Sequence, residues 1–108
     1  MRPAAALNPH AVVAALSIRG LLSLADTVCA RRGVTRDEVC GYNRTAAVAA
    51  ARHELWWMIR NHPERHYSFS EIGRIVHRDH ASVRHGVAAH LRRTATSLCT
   101  PDRLPRFS

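Results

Sequence analysis

Lysine is absent from the 108 residues: all sixteen basic side chains are arginine, and only eight acidic ones oppose them. Without lysine there is no lysine-based phosphate loop, no Schiff-base nucleophile and no pyridoxal chemistry. Cysteine is scarce. Cys29, Cys40 and Cys99 are odd in number and lack C-x-x-C spacing, which favours buried or free thiols in a reducing cytosol over a disulfide frame or zinc site. Long apolar runs are missing too. Met1 to Ile18 carries no acidic residue, but Asn8, Pro9 and His10 interrupt it and Arg19 follows. Neither a signal peptide nor a membrane span is expected, and the chain reads as cytoplasmic. β-branched runs are few and strict apolar/polar alternation is absent, so the expected fold class is all-α.

What is present fits one globular domain. Hydrophobic residues make up 46% and charged residues 22%, a composition and length that support one core and not two. The net charge of +8 points to an acidic partner, nucleic acid ahead of membrane, with a merely solvated basic surface as the bland alternative.

Along the chain, residues 1–9 read as a flexible leader ending at Asn8-Pro9, a cap followed by proline at the first helical position. Val12, Leu16, Gly20, Leu24 and Val28 recur every four residues, predicting one amphipathic helix of roughly 20 residues that stops at Gly33. Thr35 and Glu38 form a capping box for a short helix ending at Gly41. After an exposed loop, Tyr42-Asn43-Arg44, Thr45 caps a helix whose stripe is Val48, Ala51, Leu55, Met58 and Ile59. Trp56 and Trp57 point about 100° apart, so one should be only partly buried. Pro63 lies beyond that helix. Ser70 is expected to cap a short helix over 71–76, and a last helix runs from about Asp79 to about Thr96 with Val83, Val87 and Leu91 buried. Residues 10–97 form the domain, and 98–108 read as a basic, disordered tail.

Only His77-Arg78 separate Val76 from Asp79, so two helices meet across a tight turn. In a helix-turn-helix the second helix enters the major groove with its first residues on base edges. Those residues are Asp79, His80, Ala81 and Ser82. Asp accepts from cytosine N4, His and Ser bond several edges, and Ala touches a thymine methyl. Arg78 and Arg84 flank them within reach of phosphates. Asp79 also reads as a plain N-cap, a role compatible with base contact.

The run S-F-S-E-I-G-R-I-V-H-R-D-H-A-S-V-R-H resembles the signature of the C-terminal DNA-binding domain of the bacterial replication initiator DnaA. That pattern is Ser-x-x-Glu-Ile-Gly, a short helix, then Arg-Asp-His-(Ser/Thr)-(Ser/Thr)-Val. Val28, Val34 and Ala49-x-x-Arg52 fall in the same order upstream, and the similarity covers about residues 25–93. The resemblance implies a single domain with a Trp-repressor-like helix-turn-helix that binds duplex DNA. Arg44 matches a loop arginine that enters the minor groove; Arg52 and His53 match an Arg-Gln pair facing the major groove. Phe69 and Ser70 match positions along the DNA backbone, and residues 79–82 match the base readers.

The departures are specific. His53 replaces glutamine, Ala81 replaces a hydroxyl residue, the 42–44 loop has fewer basic residues, 62–67 is longer, and the turn is one residue shorter. No G-x-x-x-x-G-K-[ST] occurs, so no nucleotide-driven activity is expected; no cofactor, metal or catalytic role is expected either. The expected function is sequence-specific binding of DnaA-box-like duplex DNA, linked to replication initiation or its regulation, in a nucleoid-associated protein. The alternatives are a transcriptional regulator and a protein-interaction module using the Trp56/Trp57 face. Seven of the eight histidines lie between His53 and His90. His77, His80 and His85 have no i, i+4 pairing among themselves and no cysteine near in sequence, so no metal site is expected of them. On a DNA-facing surface the histidines would raise affinity as pH falls toward ~6.5.

Overall fold

A computed structural model describes residues 9–41 and 45–99, with side chains as far as Ala95. It holds six helices over those residues: α1 (Pro9–Ile18), α2 (Leu22–Arg32), α3 (Arg36–Cys40), α4 (Ala46–Arg60), α5 (Phe69–Val76) and α6 (His80–Cys99). No strand occurs among the described residues, in line with the all-α reading. The leader up to Asn8, the loop 42–44 with Arg44, and the tail from 100 onward lie outside the described residues.

The expected single long first helix is two helices. Gly20 adopts φ +71°, its N–H donates to Ser17 O at 3.1 Å, and the N–H of Leu21 reaches back to Leu16 O at 2.8 Å. This closure is a Schellman motif, in which a left-handed residue lets two N–H groups satisfy the last carbonyls. Leu16 and Leu21 are both fully buried, the apolar pair that accompanies the motif. The four-residue spacing continued across Gly20 because α1 and α2 share one core, not one axis. Gly33 ends α2 as expected, in the left-handed conformation with its N–H on Cys29 O.

Both halves of the Thr35/Glu38 capping box form at α3, and Thr45 caps α4 through the Val48 N–H. The cap of α5 falls two residues earlier than expected. Ser68, not Ser70, accepts from the Glu71 N–H, and Glu71 accepts from the Ser68 N–H. A capping box needs its carboxylate three residues after the cap; from Ser70 the same glutamate would be too close to reach back.

α4 is the central helix, packed against α2, α3, α5 and α6, while α1 covers α3 and α5. Leu16, Leu21, Val28, Leu55, Ile59, Ile72 and Val83 are fully buried at the middle. Of the expected α4 stripe, Met58 is only half-buried, and Trp56 is buried while Trp57 is partly exposed. Leu91 is 50% exposed, against expectation. The seam of α6 on α4 runs instead through Gly86 and His90. A Cβ on Gly86 would lie 2.5 Å from Trp56 Cε3, and the Trp57 and His90 rings stand 5.1 Å apart. Leu91, one residue past His90, is turned about 100° away from that seam.

Charge ties the periphery to the core. Glu54, buried on α4, pairs with Arg31 Nη2 and Arg32 Nε at 2.6 Å each, so the C-terminus of α2 is held down by a carboxylate. Arg36 of α3 forks onto Asp26 of α2. No helix among the described residues is long and apolar enough to cross a membrane.

Candidate nucleic-acid interface

The turn between α5 and α6 is fixed by backbone. His77 takes φ +60° and closes α5 with its N–H on Gly73 O, and the Arg78 N–H bonds the same carbonyl at 3.0 Å. Gly73 is required at this spot: an added Cβ would lie 2.5 Å from Arg78 O. The close approach of turn to helix is what allows residues 77–79 alone to connect α5 and α6. Arg78 then crosses to α3, where its Nη2 donates to Gly41 O at 2.8 Å.

Asp79 caps α6. Its Oδ1 accepts from the Ser82 N–H at 2.7 Å, which holds its carboxyl below the usual range. His80, Ala81, Ser82 and Arg84 are all exposed at the start of α6. A carboxylate that caps with one oxygen still has lone pairs to offer an amino group.

Arg52 is 8% exposed, with Nε on Val39 O and Nη2 on Glu38 O, both at 2.9 Å. Both are among the last carbonyls of α3, and Glu38 O also accepts the Gly41 N–H. Burial, then the nearby Arg78, lowers its pKa to about 10, so it stays charged at neutral pH. His53, half-buried beside it, takes Arg93 Nη1 on its Nδ1 at 3.2 Å and stands tilted against Trp56, ring centroids 5.5 Å apart. Burial first, then Arg93, Arg52, His85 and His90, push His53 down to about 4. His53 therefore stays neutral between pH 6 and 8 and takes no part in the charge gain expected of the histidines. No group of three or more potential metal ligands occurs among the described residues.

These pieces meet in one open concavity of about 460 Å³. Arg52, His53, Arg78, Asp79, Ala81 and Ser82 all line it, joined by Trp56 and His85. Six of the eleven expected contact residues are thus brought together from α4, the turn and α6. His80 and Arg84 are exposed on α6 outside that lining, and Ser70 is exposed on α5. Phe69 is half-buried under the Arg60 guanidinium, 4.4 Å from the ring centroid. Trp56, His85 and Arg93 were missed from sequence. Helical spacing offered part of the signal: Trp56 lies four residues after Arg52, and His85 four after Ala81.

A second concavity of about 460 Å³ lies between α2 and the end of α4, with Leu24, Trp57, Met58 and Pro63 in its lining. Trp57 lines this concavity, while Trp56 lines the one beside α6.

The family model described as the bacterial DnaA protein helix-turn-helix matches residues 23–89, from the first turn of α2 to the middle of α6. No curated protein and no solved structure matches the chain.

Proposed function

The chain belongs to the bacterial DnaA helix-turn-helix family, a DNA-binding domain, and from that premise we propose that it reads a specific duplex sequence of DnaA-box type in the service of replication initiation or its control. The observation that carries this reading is the convergence of α4 residues 52–53 with the start of α6 in one concavity, within the span that the family model matches. α6 enters the major groove with Asp79, His80, Ala81 and Ser82 toward base edges. His53 reads a neighbouring base. Arg44 enters the adjacent minor groove. Arg78, Arg84 and the Phe69-Ser70 end of α5 lie along phosphates, and the N-terminus of α6 adds its own preference for anions.

Arg52 acts differently from a base-reading fork. With Nε and Nη2 on α3 carbonyls, it adds positive potential behind the concavity and holds α3 against α4. The domain is a reader of DNA and performs no chemistry on it.

Selection of bound duplexes from a random pool tests the proposal. Enrichment of initiator-like boxes supports the replication role. An unrelated enriched motif replaces that role with transcriptional regulation. Absence of any enrichment overturns sequence-specific reading and turns attention to the concavity beside Trp57.

A further inference from the structure

His53 on α4 and Arg93 on α6 are forty residues apart in sequence, yet their side chains meet. Their contact constrains chemistry as well as position. A guanidinium carries only donors, so the His53 Nδ1 that meets Arg93 Nη1 must be a bare acceptor. The proton of the neutral ring then sits on Nε2. The ring itself has little freedom: Trp56 stands against it, and a Cβ on Gly86 would lie 2.7 Å from its Cδ2. This contact favours one ring edge and one tautomer before any DNA arrives.

We propose that Arg93 locks His53 as a donor-only Nε2–H reader, and that His53 thereby selects guanine at the base it meets. The proposal rests on the reading that this concavity faces the major groove. Guanine offers two adjacent acceptors there, N7 and O6, which one N–H can share. Adenine offers N7 beside an amino donor, thymine offers O4 beside a methyl, and cytosine offers only a donor. Glutamine at this position would pair with adenine through its own donor and acceptor; a locked imidazole has no acceptor to give. The charged and titratable groups that face the ring are Arg52 on its own helix and His85, His90 and Arg93 on α6. All are basic, so they oppose a second proton on His53. Arg93 is a positioning residue, and His53 is the group that touches the base.

Two measurements on the full chain decide the matter. The first needs no DNA: long-range proton–nitrogen spectra of the histidine rings should show His53 protonated at Nε2 and bare at Nδ1, unchanged from pH 8 to about pH 5. A proton on Nδ1 overturns the lock. In Arg93→Met, an Nδ1–H population should appear and the ring should titrate at higher pH; an unchanged spectrum also overturns the lock. The second compares sites selected from a random duplex pool. Wild type should show one column where guanine exceeds adenine about fivefold or more, the effect of one net hydrogen bond. His53→Gln should move that column to adenine, and Arg93→Met should flatten it while leaving the others in place. A column indifferent to His53→Gln overturns the inference but leaves DNA reading intact. No enrichment by wild type removes both.

Discussion

Arg52, Arg78 and Arg93 each place a guanidinium nitrogen on another part of the protein: on carbonyls of α3, on Gly41 O, and on His53 Nδ1. Lysine would fill none of these places equally well, because its ammonium is a point charge without a planar fork. That Asp79, Ala81 and Ser82 would share a site with the 52–53 pair could be read from the sequence because they follow a motif in a fixed order. Arg93, Trp56, His85 and Gly86 could not, because their roles depend on the register of α6 against α4. Gly86 sets that register. Gly86→Ala should cost ~1–3 kcal/mol in denaturant unfolding, since the aromatic ring 2.5 Å from the new Cβ must move and cannot flex away. His80→Ala should weaken binding to a selected duplex by ~1–3 kcal/mol and leave random duplex nearly unchanged, as titrated by anisotropy. Equal weakening of both would remove His80 from base reading.

Helix ends decided which elements were legible. The Thr35 and Thr45 caps and the Gly33 and Gly41 stops were all written locally, in residues beside the backbone groups they satisfy. The break at Gly20 was hidden because apolar spacing, which reports a shared core, does not report a change of axis. Gly20→Ala tests that break. Its Cβ would meet nothing within 4 Å, so any loss comes from the left-handed backbone alone, about 1 kcal/mol. The α5 cap gives a sharper comparison. Ser68→Ala should lower stability by about 1 kcal/mol, whereas Ser70→Ala, at an exposed position inside the helix, should stay within ~0.5 kcal/mol. The reverse order would return the cap to Ser70.

At the level of the whole molecule, net charge overstates the grip on DNA. Arg31, Arg32, Arg36 and Arg65 face carboxylates, so part of the positive charge is already neutralised within the fold. With about five phosphate contacts, log affinity should fall against log salt with a slope of about −4 to −5; a slope twice as steep would mean a wider footprint. Acidity should act on stability through His53 and His90, whose pKa values burial lowers, to about 4 for His53. Between the usual histidine value and the lowered one, the unfolded chain binds protons that the fold refuses. Stability is therefore complete above about pH 6.5 and declines as pH falls toward 4; the Asp79 and Glu71 carboxylates, held below their usual range by backbone N–H groups, keep their caps until the pH falls further. Melting curves across that range should flatten in His53→Gln. One further consequence is optical. Trp56 and Trp57 are neighbours in sequence, yet one lines the concavity below the recognition helix and the other the hollow beside α2. A Trp57→Phe protein thus retains a lone emitter at the proposed DNA face, and its spectrum should shift on adding duplex with no dye attached. The Trp56→Phe counterpart should emit unchanged through the same titration, so two adjacent residues give the molecule a signal channel and its own blank.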